Sequence, residues 1–132
     1  MTYLEKSNIS EKMKYETLVD TNGFVLGTCD ILPGSDFKIH THKVSETYII
    51  TYGNGEVYNN NQWEPVSKGD IRVFHSGIWH CCRTFNKEGI SLVYFFNTGP
   101  FNTIEYIYPK NPGATSGAES ASEPASETKS KM

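Results

Sequence analysis

Nowhere does this chain string together the ~20 apolar residues that a membrane-spanning helix needs, so no transmembrane segment is expected. Basic residues are scarce as well. Twelve Lys and Arg against fifteen Asp and Glu leave a formal net charge of -3 and a pI near 5.8. The basic patch of a nucleic-acid-binding protein is therefore missing. Charges of one sign are not gathered into blocks. Cysteine is limited to Cys29, Cys81 and Cys82. An odd count that includes an adjacent pair makes a poor disulfide framework, so buried, reduced thiols in a cytosolic protein are expected. The opening residues, MTYLEKSNISEKMKYE, are too polar for the apolar region of a signal peptide, which also favours a cytoplasmic location. After Tyr108, aromatic residues vanish. The segment PKNPGATSGAESASEPASETKSKM cannot bury enough surface to offset its ordering entropy, and 109–132 is expected to be a disordered, low-complexity tail.

What remains is enough for one domain with a modest core, expected over residues 20–108 behind an N-terminal arm, 1–19. The arm has a weak helical pattern after Ser10, a candidate N-cap; an extended arm packing on a partner subunit is the alternative. Then come short runs rich in β-branched and aromatic residues. They are Phe24 to Leu32, Phe37 to His42, Glu46 to Tyr52, Trp63 to Val66, Ile71 to Phe74, Trp79 to Phe85, Ile90 to Phe96 and Ile104 to Tyr108. Gly53-Asn54-Gly55 reads as a turn with Glu56-Val57-Tyr58 returning from it, and Asn59-Asn60-Asn61 and Lys87-Glu88-Gly89 read as further turns. Many short strands at regular spacing predict an all-β sandwich or barrel.

The chemistry gathers in GSDFKIHTHKVSETYIITYG, residues 34–53. On a strand, alternate side chains share a face, so His40 and His42 point the same way. A short turn at Lys43-Val44-Ser45 brings Glu46 back to them. Two imidazoles and a carboxylate are a ligand set for Fe, Mn, Ni, Co or Zn.

The spacing of this stretch, G-x5-H-x-H-x3-E-x6-G, resembles the first signature of the cupin superfamily at every fixed position. The second signature, G-x5-P-x-G-x2-H-x3-N, is matched by Gly69, Gly77 and His80. Two positions depart from it: His75 stands where proline is usual and Thr84 where asparagine is usual. The resemblance implies a cupin jelly roll, a double-stranded β-helix barrel. It also implies a fourth ligand, so that His40, His42, Glu46 and His80 hold one divalent transition metal (Fe, Mn, Ni or Zn).

Strand parity then predicts the surroundings. Tyr48, Ile50 and Tyr52 share the face of Glu46. Cys82 and Thr84 share that of His80, while Cys81, Arg83 and Trp79 point away. Lys38 shares the face of His40, either holding a substrate carboxylate in the barrel mouth or snorkelling at the rim. His75 reads as a loop histidine or a supporting group beside the ligands, and Cys82 as a small buried hydrophobe.

From His40 to Tyr108 the chain also resembles a set of short single-domain cupins with H-x-H-x3-E-x-Y, a later histidine, an aromatic strand (Val93 to Phe96) and a closing F-x3-E-Y (Phe101, Glu105, Tyr106). The bacterial dimethylsulfoniopropionate lyases belong to this set. That resemblance implies catalytic roles for Tyr48, at the metal, and Tyr106, as the base that removes an α-proton. Lys38, Tyr52 and Phe95 are the expected substrate-binding residues, with Tyr48, Tyr52, Trp79 and Phe95 forming an aromatic wall for a sulfonium cation. The expected partner is a small molecule, with no nucleic acid and no membrane, in a homodimer. An Fe(II)-dependent dioxygenase, a sugar or keto-acid isomerase and a non-catalytic small-ligand binder use the same fold and stay open as alternatives.

Overall fold

The computed structural model describes residues 12–35 and 38–110, with the backbone of 128–131. Nine strands follow in order: β1 (Met13–Asp20), β2 (Val25–Ile31), β3 (Glu46–Asn59), β4 (Gln62–Ser67), β5 (Ile71–Phe74), β6 (His80–Arg83), β7 (Ile90–Phe96), β8 (Glu105–Tyr108) and β9 (Thr128–Lys131). A 3-10 turn, Phe101–Thr103, precedes β8. Among the described residues no helix is long and apolar enough to cross a membrane.

Every strand pair is antiparallel, and β3 belongs to two walls. Its first half lies between β7 and β5, and β2 and then β1 continue beyond β7. Its second half lies between β4 and β6. Single bridges from His40 to His80 and from Thr41 to Ile107 carry this second wall on to β8. The walls face each other across Val25, Ile31, Ile50, Val57, Leu92 and Phe96, each at most 2 % exposed. Fully burying one such side chain contributes about 1.5–3 kcal/mol. A smaller cluster, Ile39, Tyr58 and Cys81 with Trp63 and Trp79, packs separately from this core. The two walls and their shared strand make the expected cupin jelly roll.

The corner of β3 is built on glycine. Gly53 has φ +79°, and a Cβ there would overlap the Gly89 carbonyl oxygen; a Cβ on Gly55 would overlap that of Arg83. A register shift between Ile50 and Tyr52 marks a bulge just before the bend.

Several expectations are corrected. Gly53-Asn54-Gly55 is not a turn between two strands but a bend within the continuous β3. The hairpin reversal comes at Asn60 and Asn61, inside the expected Asn59-Asn60-Asn61 turn, both with positive φ, as asparagine tolerates. The helical pattern after Ser10 gives way to β1, whose apolar residues meet β2, so the sheet begins at Met13 inside the expected arm. The strand expected from Phe37 to His42 is reduced to the two bridges at His40 and Thr41, and Phe37 itself lies outside the described residues. Thr128–Lys131, expected to be disordered, pairs with Glu105–Tyr108. The remainder of that tail, 111–127 and 132, lies outside the described residues.

Candidate metal centre

The backbone bridge between His40 and His80 joins two of the candidate ligands directly. The His40 amide donates to the His80 carbonyl at 3.1 Å, and the His80 amide donates back at 2.8 Å. His42 follows two residues after His40, and Glu46 starts β3 on the opposite wall. The ligand-type atoms of His40, His42, Glu46 and His80 all lie within 4.8 Å of one another, and all four residues are buried.

Each imidazole is oriented from behind. His40 Nδ1 lies 2.8 Å from the Lys38 carbonyl, His42 Nδ1 2.8 Å from that of Val44, and His80 Nδ1 2.8 Å from that of Ile78. A carbonyl only accepts, so each Nδ1 carries the proton and donates. Nε2 is then the lone-pair atom of each neutral ring. Yet His42 Nε2 lies 3.1 Å and His80 Nε2 3.0 Å from the same Glu46 Oε1. Either both buried rings are imidazolium on one carboxylate oxygen, or lone pairs face lone pairs with a cation required between them. Two donors at ~2.0–2.2 Å from one ion and at right angles around it are themselves about 3 Å apart. The donor set therefore fits a divalent transition metal, with the pinned Nδ1 atoms supplying the outer support such ligands use. Burial, with His80 and His42 alongside, lowers the pKa of His40 well below that of a free imidazole. Burial pushes the Glu46 carboxyl up, but the His42 and His80 contacts outweigh it and bring it down to about 2. Glu46 is an anion at neutral pH.

Aromatic rings wall the cluster. Phe74 lies parallel to His80 at 4.6 Å, and Phe96 meets His42 edge-on at 5.3 Å. Both sit opposite Glu46, on β5 and β7, so they share its face. Sequence reading missed these two; the signal was their register with Glu46, which motif spacing does not contain. Tyr106 stacks on His40 at 4.6 Å and stands edge-on to His42 at 5.1 Å. Tyr48 flanks the other side, 6.1 Å from His80 and 4.9 Å from Phe74. Burial and the Glu46 charge push both phenols above their ordinary range. Cys82 is buried beside His80's strand face, and burial raises its thiol to about 12.

The three expected substrate-binding residues stand elsewhere. Lys38 is exposed, its carbonyl alone turned to the site through His40 Nδ1. Tyr52 is 51 % exposed because the bulge after Ile50 reverses the parity that would have carried it inward. Phe95 alternates with the buried Tyr94 and Phe96 and packs on Phe24 at 5.7 Å, on the outer side of its sheet. Trp79 joins the separate cluster around Tyr58, and Arg83 lies 3.4 Å over Trp63 while pairing with Glu56. His75 is exposed. Thr84 replaces the usual asparagine by donating to the Asn54 carbonyl at 2.8 Å and accepting from the Asn86 amide at 3.0 Å.

A profile of the Cupin domain family matches residues 27–96. Solved structures with the same fold include an uncharacterized conserved protein with a double-stranded beta-helix domain from Klebsiella pneumoniae, with TM-score 0.63, 21 % identity, and coverage of 68 % of this chain and 80 % of that one. A variant of oxalate decarboxylase from Bacillus subtilis follows with TM-score 0.62, 20 % identity and coverage of 71 % and 27 %. Salicylate 1,2-dioxygenase from Pseudoaminobacter salicylatoxidans gives 0.61, 16 %, and coverage of 67 % and 25 %. No curated protein matches the chain.

Proposed function

The chain belongs to the cupin family, and on that premise we propose that it is a metal-dependent lyase that cleaves dimethylsulfoniopropionate to dimethyl sulfide and acrylate. The observation that carries this reading is Tyr106, whose ring stacks on His40 and meets His42, beside the centre held by His40, His42, Glu46 and His80. A divalent metal there would act as a Lewis acid toward a substrate carboxylate and oppose the burial and Glu46 charge that keep the tyrosines protonated. Tyr106 takes the α-proton as general base. The electron pair of that C–H bond becomes the Cα–Cβ double bond, and the Cβ–S bond breaks with its electrons leaving on sulfur. Tyr48, on the His80 side, orients the substrate. The rings of Tyr48, Tyr106, Phe74 and Phe96 offer faces to a sulfonium by cation–π attraction, the role once expected of Tyr52, Trp79 and Phe95.

The test is direct. Protein loaded in turn with Fe, Mn, Ni and Zn is incubated with dimethylsulfoniopropionate, and the headspace is sampled for dimethyl sulfide. Absence of product with every metal rules the lyase out, and oxygen uptake with small thiols or diketones then tests the dioxygenase alternative, which needs the same donors. A homodimer belongs to this reading. Its support is Ile71 and Val73, 56 % and 47 % exposed on one face of β5, and sedimentation showing only monomer at micromolar concentration removes it.

A further inference from the structure

The strand that carries Tyr106 is tied to the barrel by a single bridge. On β8 the Ile107 amide donates to the Thr41 carbonyl at 2.8 Å, and the Thr41 amide donates to the Ile107 carbonyl at 2.9 Å. Along an antiparallel strand both backbone groups of a residue point to one edge, and those of its neighbours point to the other. The amides and carbonyls of Tyr106 and Tyr108 therefore face away from Thr41. On that side lies the C-terminal strand β9, with Ser130 opposite Tyr106 and Thr128 opposite Tyr108. Tyr106 is buried, so its backbone groups need a partner, and β9 supplies it.

The same strand covers the metal centre. Tyr106 stacks on His40, and the Tyr108 ring lies 6.1 Å from that of His40. Phe74, Phe96, Tyr48 and Tyr106, the other rings against the ligand imidazoles, are buried, whereas Tyr108 is partly exposed. Among the described residues it is the ring that joins a ligand to the surface. The four ligands are themselves buried, so an ion or a chelator reaches them only when something covering them moves. The least costly movement belongs to the element with the fewest hydrogen bonds to the rest. Ladders join β2, β7 and β3 along their lengths, whereas β8 has its one bridge and β9.

We propose that β9 is a strap: by pairing with Tyr106 and Tyr108 it holds β8 against the His40 side of the centre and sets how fast a metal ion exchanges there. The inference rests on the metal-centre reading and not on the lyase assignment. The occupant of the β8 edge is this chain's own C-terminal segment, paired within one molecule. Strand alternation decides which of its residues matter. Ser130 and Thr128 turn their backbone groups toward β8, and Lys129 and Lys131 turn theirs toward the open edge of the two-stranded sheet.

Proline tests this register, because it breaks a ladder only where the amide it removes is in use. Full-length wild type, Ser130→Pro and Lys129→Pro are loaded with Co(II), and the loss of its visible absorption is followed after excess EDTA is added. Hydrogen exchange at the Tyr106 and Tyr108 amides is measured on the same three proteins without metal. The expected result is equal Co(II) uptake in all three. Extraction and amide exchange should each be about tenfold faster in Ser130→Pro, the effect of about one lost hydrogen bond, and near wild type in Lys129→Pro. Equal extraction rates from wild type and Ser130→Pro overturn the strap and leave the metal centre standing. So does an equal effect of the two prolines, because the register would then not matter. Amide protection that rises with protein concentration overturns it as well, because the pairing would then be between copies. Wild-type protein that takes up no Co(II) overturns the metal-centre reading and the strap together.

Discussion

Each imidazole of the centre has one nitrogen committed to a backbone carbonyl two residues away, at Lys38, Val44 or Ile78. Local chain geometry thus decides which nitrogen faces Glu46 before any ion arrives. The buried His40 makes metal-free protein acid-sensitive. Its folded pKa lies well below the ordinary 6.5, so below pH ~6.5 the unfolded chain binds a proton that the folded chain refuses. Glu46, lowered from 4.5 to about 2, acts with the same sign in a lower window. Stability of the metal-free protein should be flat above pH ~7, decline as pH falls below ~6.5 and decline again below ~4.5, as read by urea unfolding at stepped pH; a rise in stability on acidification contradicts the buried neutral ring. On the lyase reading proposed above, Tyr106→Phe keeps the ring stacked on His40 while deleting the proton acceptor. Turnover should fall ~10²–10⁴-fold with metal content and circular dichroism unchanged. At this scale much was legible in the sequence, because ligand spacing is a local property: the structure brings His40, His42, Glu46 and His80 together as the two signatures imply. Phe74 and Phe96 were not, because their nearness to the site depends on which strand lies beside β3.

Among the elements, β3 explains why strand reading succeeded in part. Parity carried Tyr48 and Ile50 inward with Glu46, and both are buried. It failed at Tyr52 because the bulge inserts one residue and flips the alternation. A bulge of this kind leaves no trace in a run such as Thr47 to Tyr52, where apolar and polar residues suit either face. Gly53-Asn54-Gly55 carried a second ambiguity. Glycine clusters usually punctuate turns, but here they allow one strand to cross between walls where the Gly89 and Arg83 carbonyls crowd in. Gly53→Ala should therefore cost at least ~1–3 kcal/mol from its left-handed φ alone, with the overlap on Gly89 adding to it. Denaturant unfolding measures the loss, and Gly23→Ala, at a site with nothing within 4 Å of the added Cβ, is the control that should stay within ~1 kcal/mol.

For the molecule as a whole, the centre is a clasp between walls. His40 and His42 come from the bridge segment, His80 from β6 of the same wall, and Glu46 from the half of β3 that lies in the other. A metal held by all four binds the folded barrel and has no comparable site in the unfolded chain, so its binding energy adds to folding stability. At free metal ~100-fold above Kd the gain is ~2.7 kcal/mol. With ~4–8 °C per kcal/mol for a domain near 100 residues, the expected rise in Tm is ~10–20 °C, reversed by a chelator. His80→Ala should remove most of that rise, since it takes away a ligand and leaves Glu46 with one imidazole. Thermal scans of wild type and His80→Ala, with and without Zn or Mn, separate this from nonspecific metal effects: an equal rise in both proteins would mean that the ion binds elsewhere. The same comparison bears on why the cluster is assembled at all. Without an ion, two imidazoles and a carboxylate are packed on one another out of water, an arrangement whose desolvation cost burial alone does not offset. If metal-free His80→Ala proves as stable as metal-free wild type or more so, the four residues are held together at the expense of the empty barrel, which is what a site kept for its metal requires.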